Sequence, residues 1–316
     1  MKNGKLIRLL MLVMLSSGCA LQNSTPLVTS ISKSSSSIIK ESSSSSLESS
    51  SVISSSSVSS SESSSSSESS SSSESSSVNN PIVSNHYQGT YYDDVDLTLV
   101  DSQLKSELRE LTTTTHTYQV SYGELRYSSA INGTQGGRKI EGLPVTDASL
   151  TDPSKIVCIY SRKEVSGTWD QGATWNREHV WPQGNKNNNT SWFPDTGNST
   201  RNAGSDLHHV RPETQSVNSS RGNKYFANQT TTSSYEPVDE AKGDVARILF
   251  YMFTRYSESD SYPVTTVASS WELLLEWNEL DPVDSLEMQR NDVAEGVQGN
   301  RNPFIDYPEL ATSIWG

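Results

Sequence analysis

The chain has 316 residues, with 37 acidic against 24 basic side chains, a formal net charge of −13 and a mean hydropathy of −0.58. Two cysteines are too few for a disulfide framework, and no apolar run approaches the roughly 20 residues that cross a bilayer as a helix. So acidic a body also counts against a high-affinity polyanion binder that works by long-range attraction.

The first 19 residues have a basic start, an apolar stretch over 6–15 broken by Arg8, and then Ser16, Ser17, Gly18 and Cys19. This is the layout of an export signal. It resembles a lipoprotein-type signal peptide (residues 1–19), with Cys19 as the lipidated residue. The resemblance is imperfect, because Leu15 stands four places before Cys19 where such signals carry Leu three before. Plain secretion with Cys19 lost in the cleaved peptide is the alternative.

Residues 20–84 read as a disordered linker. Serine dominates 28–77, and such a segment cannot bury enough apolar surface to offset its ordering entropy. As a flexible coil it spans roughly 40 Å, which suits a tether. Residues 85–316 then form one globular domain.

Within that domain, Leu97, Leu99, Leu104, Leu108 and Leu111 fall near helical spacing, so 96–111 is expected to be an amphipathic helix. Residues 155–160 read as a buried strand in which Cys158 is a structural thiol. Residues 185–202 are a polar loop of a length that is often functional. Residues 243–256 and 271–280 read as buried helices, and 295–310 as an irregular tail. Few strands and several helices without βαβ alternation indicate an α+β fold.

Charge is unevenly spread. Residues 161–230 carry eight Lys/Arg against six Asp/Glu, whereas 231–316 carry five against sixteen. The chemically suggestive motifs lie in the first of these segments. WNREHVWP occupies 175–182, SDLHHVRPE occupies 205–213 and VNSSRGN occupies 217–223. Their order is strand, long loop, strand, then a helix beginning near Thr214.

Phosphodiester hydrolysis requires an activated water, charge stabilisation on phosphoryl oxygens and help for the leaving oxygen. His179 is a candidate base. The Glu178 carboxylate and the Asn218 amide are oxygen donors suited to a hard cation. Adjacent strand residues face opposite ways, so Glu178 and His179 can share a site only where the strand ends or twists. Asn218 could instead cap a helix or accept a glycan. His208 and His209, read as neighbours on a strand, cannot converge with His179 as a zinc site requires. Trp175 and Trp181 are expected in the core.

Together REHVWP, SDLHHVRPE, VNSSRGN and the tail QGNRNPFIDYPEL resemble the endonuclease I family of secreted bacterial nucleases, which are ββα-metal (His-Me finger) enzymes. The resemblance spans residues 91–310 in four ordered blocks. It implies a finger core surrounded by helices, and nonspecific cleavage of DNA, RNA or both with Mg²⁺ or another divalent cation such as Ca²⁺ or Mn²⁺. It makes His179 the general base and Glu178 and Asn218 the metal ligands. It also asks for a loop arginine on the cleaved phosphate, and Arg201 is the only one available. Some relatives are held by disulfides, which this chain cannot form.

Arg177 and Arg221 are further candidates for substrate contact, although Arg221 could equally cap the helix. His208 and Asp206 are expected to support the site from behind. Asp206 and Arg211 could form an ion pair or meet phosphate, and residues 298–302 should buttress the site. The expectation is an extracellular one-metal endonuclease leaving 5′-phosphate ends. It would be a monomer whose partner is its nucleic acid substrate, touching a bacterial membrane only through an N-terminal lipid. The rivals are a surface-tethered binding module (an adhesin) and a metal-dependent phosphoesterase for small substrates.

Overall fold

The computed structural model describes residues 87–132 (Asn132 by its backbone only), 137–184, 192–193 and 197–316. The signal assigned to 1–19, its Cys19, the linker at 20–84 and much of the 185–202 loop lie outside the described residues.

Helix α1 covers Asp101–Thr114 and buries Leu104 and Leu108. It starts five residues later than the leucine spacing suggests. The Asp96 carboxylate accepts from the Thr98 N–H (3.0 Å) and hydroxyl (2.6 Å), and this local turn competes with the helix. Strands β1 (Ala130–Asn132) and β2 (Arg138–Ile140) pair antiparallel, and a one-turn helix α2 (Leu143–Thr146) follows. Strand β3 (Lys155–Val157) pairs with β4 (Glu164–Ser166) and is shorter than expected. The chain turns at Cys158, whose carbonyl accepts from Arg162 at 3.0 Å.

The central feature is a hairpin of β5 (Trp175–His179) and β6 (Val210–Thr214), in antiparallel register from Trp175↔Thr214 to His179↔Val210. Helix α3 (Gln215–Arg221) leaves directly from β6. The parallel pair β7 (Tyr225–Phe226) and β8 (Ser234–Tyr235) comes next. Helices α4 (Lys242–Arg255), α5 (Trp271–Leu280), α6 (Ser285–Gln298), α7 (Pro303–Asp306) and α8 (Leu310–Trp315) complete the fold. The mixture of small sheets and helices is α+β. No helix among the described residues is long and apolar enough to cross a membrane.

Two corrections concern elements. His208 and His209 are not on a strand. They lie in a turn before β6, fixed by Asp206, whose carboxylate accepts from the His208 N–H (2.8 Å) and whose carbonyl accepts from the His209 N–H (3.0 Å). The tail at 295–310 is not irregular throughout. Its first four residues end α6, which opens on a capping box of Asp284 and Glu287 and closes on Gly299 at φ +93°.

Apolar residues surround α4 on nearly every side, so it is buried from Lys242 to Thr254. Around it packs the larger core, which includes Trp181, Phe250, Trp277 and Phe304. A smaller core holds Trp175, Leu207, Val210 and Val297. Both ends of the hairpin, at Trp175 and Val210, belong to the smaller core, Val180 and Trp181 just past β5 enter the larger one, and both tryptophans of the first motif are wholly buried. Buried charges are paired. Arg211 reaches Asp147 (2.5 Å) and Asp244 (3.0 Å), and Arg247 reaches Glu287 (2.5 Å). Such pairs fix geometry more than they add stability.

Candidate active site

A cleft of about 240 Å³ opens at the end of the hairpin. Its walls include Tyr122, Arg177, Glu178, His179, Asn218 and Arg221. Glu178 and His179 can both face it because His179 is the last residue of β5, where strand alternation stops constraining the chain. Asn218 arrives from α3, one turn before its C-terminal end.

Glu178 is only 4% exposed. Its Oε1 accepts from the Tyr160 hydroxyl and from Arg221 Nη1, each at 2.7 Å. Among the described residues nothing donates to Oε2. Burial pushes the carboxyl upward, opposed by the charge of Arg221 and the Tyr160 hydrogen bond. Tyr160 is itself anchored, since its backbone N–H donates to Glu213 Oε2 at 2.8 Å. The Asn218 side chain has no hydrogen-bond partner among the described residues.

His179 has its ring nearly parallel to that of Tyr122, 11° apart with centroids 5.6 Å apart. Its Nε2 lies 2.8 Å from the Gly204 carbonyl oxygen. A carbonyl can only accept, so Nε2 carries the proton and Nδ1 of the neutral ring is the free base. Gly204 must be glycine here, because a Cβ would stand 2.8 Å from the Phe193 ring. Burial, aided by His209 and the nearby arginines, lowers the His179 pKa to about 3, so the ring is neutral at pH 7.

The four arginines divide sharply. Arg177 lies 3.6 Å from the Tyr122 ring centroid, donates to the Tyr122 carbonyl and pairs with no carboxylate among the described residues. It is a cation left over at the cleft wall. Arg221 is 1% exposed and donates to Glu178, to the His179 carbonyl (2.7 Å) and to the Val180 carbonyl (2.5 Å). It lines the cleft with its guanidinium already engaged, and through these bonds it holds the end of β5 in place rather than capping α3. Arg201 is not brought to the cleft. It is held by Glu124 at 2.9 and 3.2 Å, by the Gln119 carbonyl and over the Tyr118 ring. Arg211 pairs with Asp147 and Asp244 rather than Asp206.

Asp206 and His208 stand behind the hairpin. The Asp206 carboxylate accepts from Tyr251 (2.7 Å), Tyr256 (2.7 Å) and Gln298 (2.9 Å), and its pKa is lowered by the neighbouring histidines and these bonds despite burial. His208 Nε2 donates to the Asn300 carbonyl at 2.9 Å. The Gln298 amide oxygen accepts from the Leu207 N–H at 2.8 Å, so the 298–302 block braces the turn before β6. His209 spans the base of the loop, donating from Nδ1 to Ala203 O (2.7 Å) and accepting the Trp181 N–H at Nε2 (3.0 Å). Cys158 is buried and its thiol pushed up to about 12, which removes it from chemistry.

Sequence reasoning missed Tyr122, Tyr160 and Gly204. The first two lie 57 and 18 residues from His179 and Glu178 and carry no local signature. Among the described residues no group of three or more His, Cys, Asp and Glu could hold a metal, so a cation here would rely on mixed carboxylate and amide oxygens.

A sequence model of the family described as Endonuclease I matches residues 100–309. The extracellular ribonuclease of Bacillus subtilis (strain 168) is 36% identical over 251 residues, covering 72% of this chain and 78% of that protein. The extracellular ribonuclease of Bacillus amyloliquefaciens is 38% identical over 198 residues, and there the match spans 65% of the relative's length. Endonuclease-1 of Buchnera aphidicola subsp. Baizongia pistaciae is 30% identical over 117 residues, 45% of its length.

Proposed function

The chain belongs to the Endonuclease I family, and from that membership we propose that it is an extracellular endonuclease that hydrolyses RNA, DNA or both at the cleft beside His179. The observation that carries the proposal is the convergence of Glu178, His179, Asn218 and the unpaired Arg177 on one cleft. A binding module has no need to bring these side chains together. The two relatives named extracellular ribonucleases favour RNA among the substrates and export as the route, with Cys19 as the proposed lipid anchor. The hairpin followed by α3 supports reading this core as a ββα-metal finger.

His179 acts as general base through Nδ1, taking the proton of a water that attacks phosphorus. Nε2–H keeps donating to the Gly204 carbonyl, which also steadies the imidazolium that forms. A base with a pKa of about 3 is weak. An arriving phosphodiester raises it, because a nearby negative charge favours the protonated ring. Tyr122 holds the imidazole plane, while Arg177 offsets charge on the phosphoryl oxygens and takes the role expected of Arg201. Arg221 and Tyr160 leave Glu178 with one oxygen directed at the cleft.

That oxygen and the Asn218 amide oxygen would hold a divalent cation. Two hard donors suit Mg²⁺, which keeps most of its water when protein-bound. Bound there, the cation supplies charge stabilisation to the phosphoryl group and the departing 3′-oxygen. Cleavage then leaves a 5′-phosphate and, once a solvent water protonates the departing oxygen, a 3′-hydroxyl, with little sequence preference because backbone contacts carry no base information.

The test compares wild type with His179→Ala on plasmid DNA and long RNA, in Mg²⁺ and in EDTA. Degradation that requires the metal and falls about 10²-fold or more in the variant is the expected result. Both polymers surviving intact with wild type across Mg²⁺, Mn²⁺ and Ca²⁺ would sink the reading.

A further inference from the structure

A second, larger concavity adjoins the cleft and shares Arg221, Gly222 and Asn223 with it. Its volume is about 640 Å³. Its walls come from the C-terminal end of α3, the chain before β8 and the turn at Val264–Thr266. Six serine and threonine side chains line it, among them Ser219, Thr232 and Thr265. Lys224 is its one cation beside the already engaged Arg221, and Lys224 pairs with no carboxylate among the described residues.

Among the described residues no acidic side chain lines this groove. The absence is informative because two of its walls are drawn from 231–316, the segment with sixteen acids against five bases. A surface that excludes carboxylates and presents neutral hydroxyl donors with one lysine is suited to phosphate oxygens. The boundary with the cleft is open. Gly222 sits there at φ +53°, and a Cβ on it would meet nothing closer than the Ser219 carbonyl oxygen at 3.7 Å. Nothing at this position obstructs a chain running from one concavity into the other. Tyr225 adds a half-buried ring to the far wall, the kind of surface on which an unpaired base stacks.

We propose that this groove binds the backbone of a single polynucleotide strand one or two nucleotides beyond the scissile bond. The inference rests on the cleft being the hydrolytic site. It makes the protein a cutter of chains, and the groove volume, within the usual range for ligand pockets, matches a short piece of one strand. Lys224 neutralises one phosphate and the hydroxyls bind its neighbours, without reading sequence.

The full-length protein, Lys224→Ala, Lys224→Arg and the groove-filling Thr265→Trp supply the test. Binding of a fluorescein-labelled single-stranded RNA dodecamer is followed by anisotropy in EDTA over a range of salt. The Lys224→Ala and Thr265→Trp proteins should bind several-fold more weakly, the alanine variant with a salt slope reduced by about one, and Lys224→Arg should match wild type. In Mg²⁺, kcat/KM on the dodecamer should fall by a similar factor through KM, with cleavage of a dinucleotide unchanged. Equal losses on dodecamer and dinucleotide would mark a structural effect and overturn the proposal, as would unchanged dodecamer binding. If groove variants lose binding while wild type cleaves nothing, the nuclease reading falls and the placement beyond a scissile bond falls with it, which overturns the proposal and leaves only a strand-binding groove. If wild type cleaves and the groove variants behave like it, the groove falls alone.

Discussion

Arg221 illustrates how much one buried side chain decides. Its guanidinium joins Glu178 to the carbonyls of His179 and Val180, so it sets both the direction of a carboxylate and the place where β5 ends. Arg221→Ala leaves that carboxylate buried without its cation and should cost about 3–5 kcal/mol, measured by urea unfolding. Arg221→Lys should recover part of that stability but little activity, since one ammonium cannot serve three acceptors as a fork does. At Arg177 the outcome should invert. Arg177→Ala should leave the urea midpoint near wild type and lower kcat/KM on RNA by about tenfold, the loss of roughly one charge-assisted contact. A large stability loss in this variant would show that its stack on Tyr122 is structural. Glu178, His179 and Asn218 were legible in the sequence as residue types suited to hydrolysis, and they line one cleft. The arginine roles were not. Arg177, Arg201, Arg211 and Arg221 share one basic segment, and their partners Tyr122, Glu124, Asp147 and Glu178 are chosen by tertiary contacts that no local spacing encodes.

At the scale of elements, α6 ends behind the hairpin and braces the turn before β6. Gln298 closes that helix, donates to Asp206 and accepts from Leu207, linking residues about 90 positions apart. Asp284, at the other end of α6, accepts from the Glu287 N–H at 2.8 Å. Asp284→Ala should therefore cost about 1 kcal/mol, visible as a lower thermal midpoint with kcat unchanged. A fall in kcat at temperatures where the variant is fully folded would mean that α6 transmits its N-terminal disorder to the site. Helices α4 and α5 were readable because continuous apolar runs leave few alternatives. Helix α6 was passed over because its apolar positions are sparse, although Asp284, Glu287 and Gly299 signal its ends. The late start of α1 follows from Asp96 and Thr98, a local competition that leucine spacing does not register.

For the whole molecule, two rings buried in neutral form, His208 and His209, weaken the fold in acid. Burial lowers both His208 and His209 from an ordinary 6.5 to about 4. The unfolded chain therefore takes up protons at about pH 6.5 that the folded one refuses until about pH 4, and stability present above 6.5 is lost as pH falls between those values. Asp206, whose pKa is lowered, extends the loss further into acid. The thermal midpoint should drop steeply from pH 7 to pH 4.5 and stay nearly flat from pH 7 to pH 8. A midpoint independent of pH over the acid range would show that these rings take up protons equally in the folded and unfolded chain. The link between Asp206 and Gln298 also sets an order in time. A chain made from its N-terminus has both strands of the hairpin, and then Tyr251 and Tyr256 to hold Asp206, before α6 exists, so the brace from Gln298 is added only as synthesis nears its last tenth. A ribosome-bound chain that ends before Gln298 thus has every residue proposed for hydrolysis but lacks part of the brace behind them, and it should act on RNA more weakly than the finished chain.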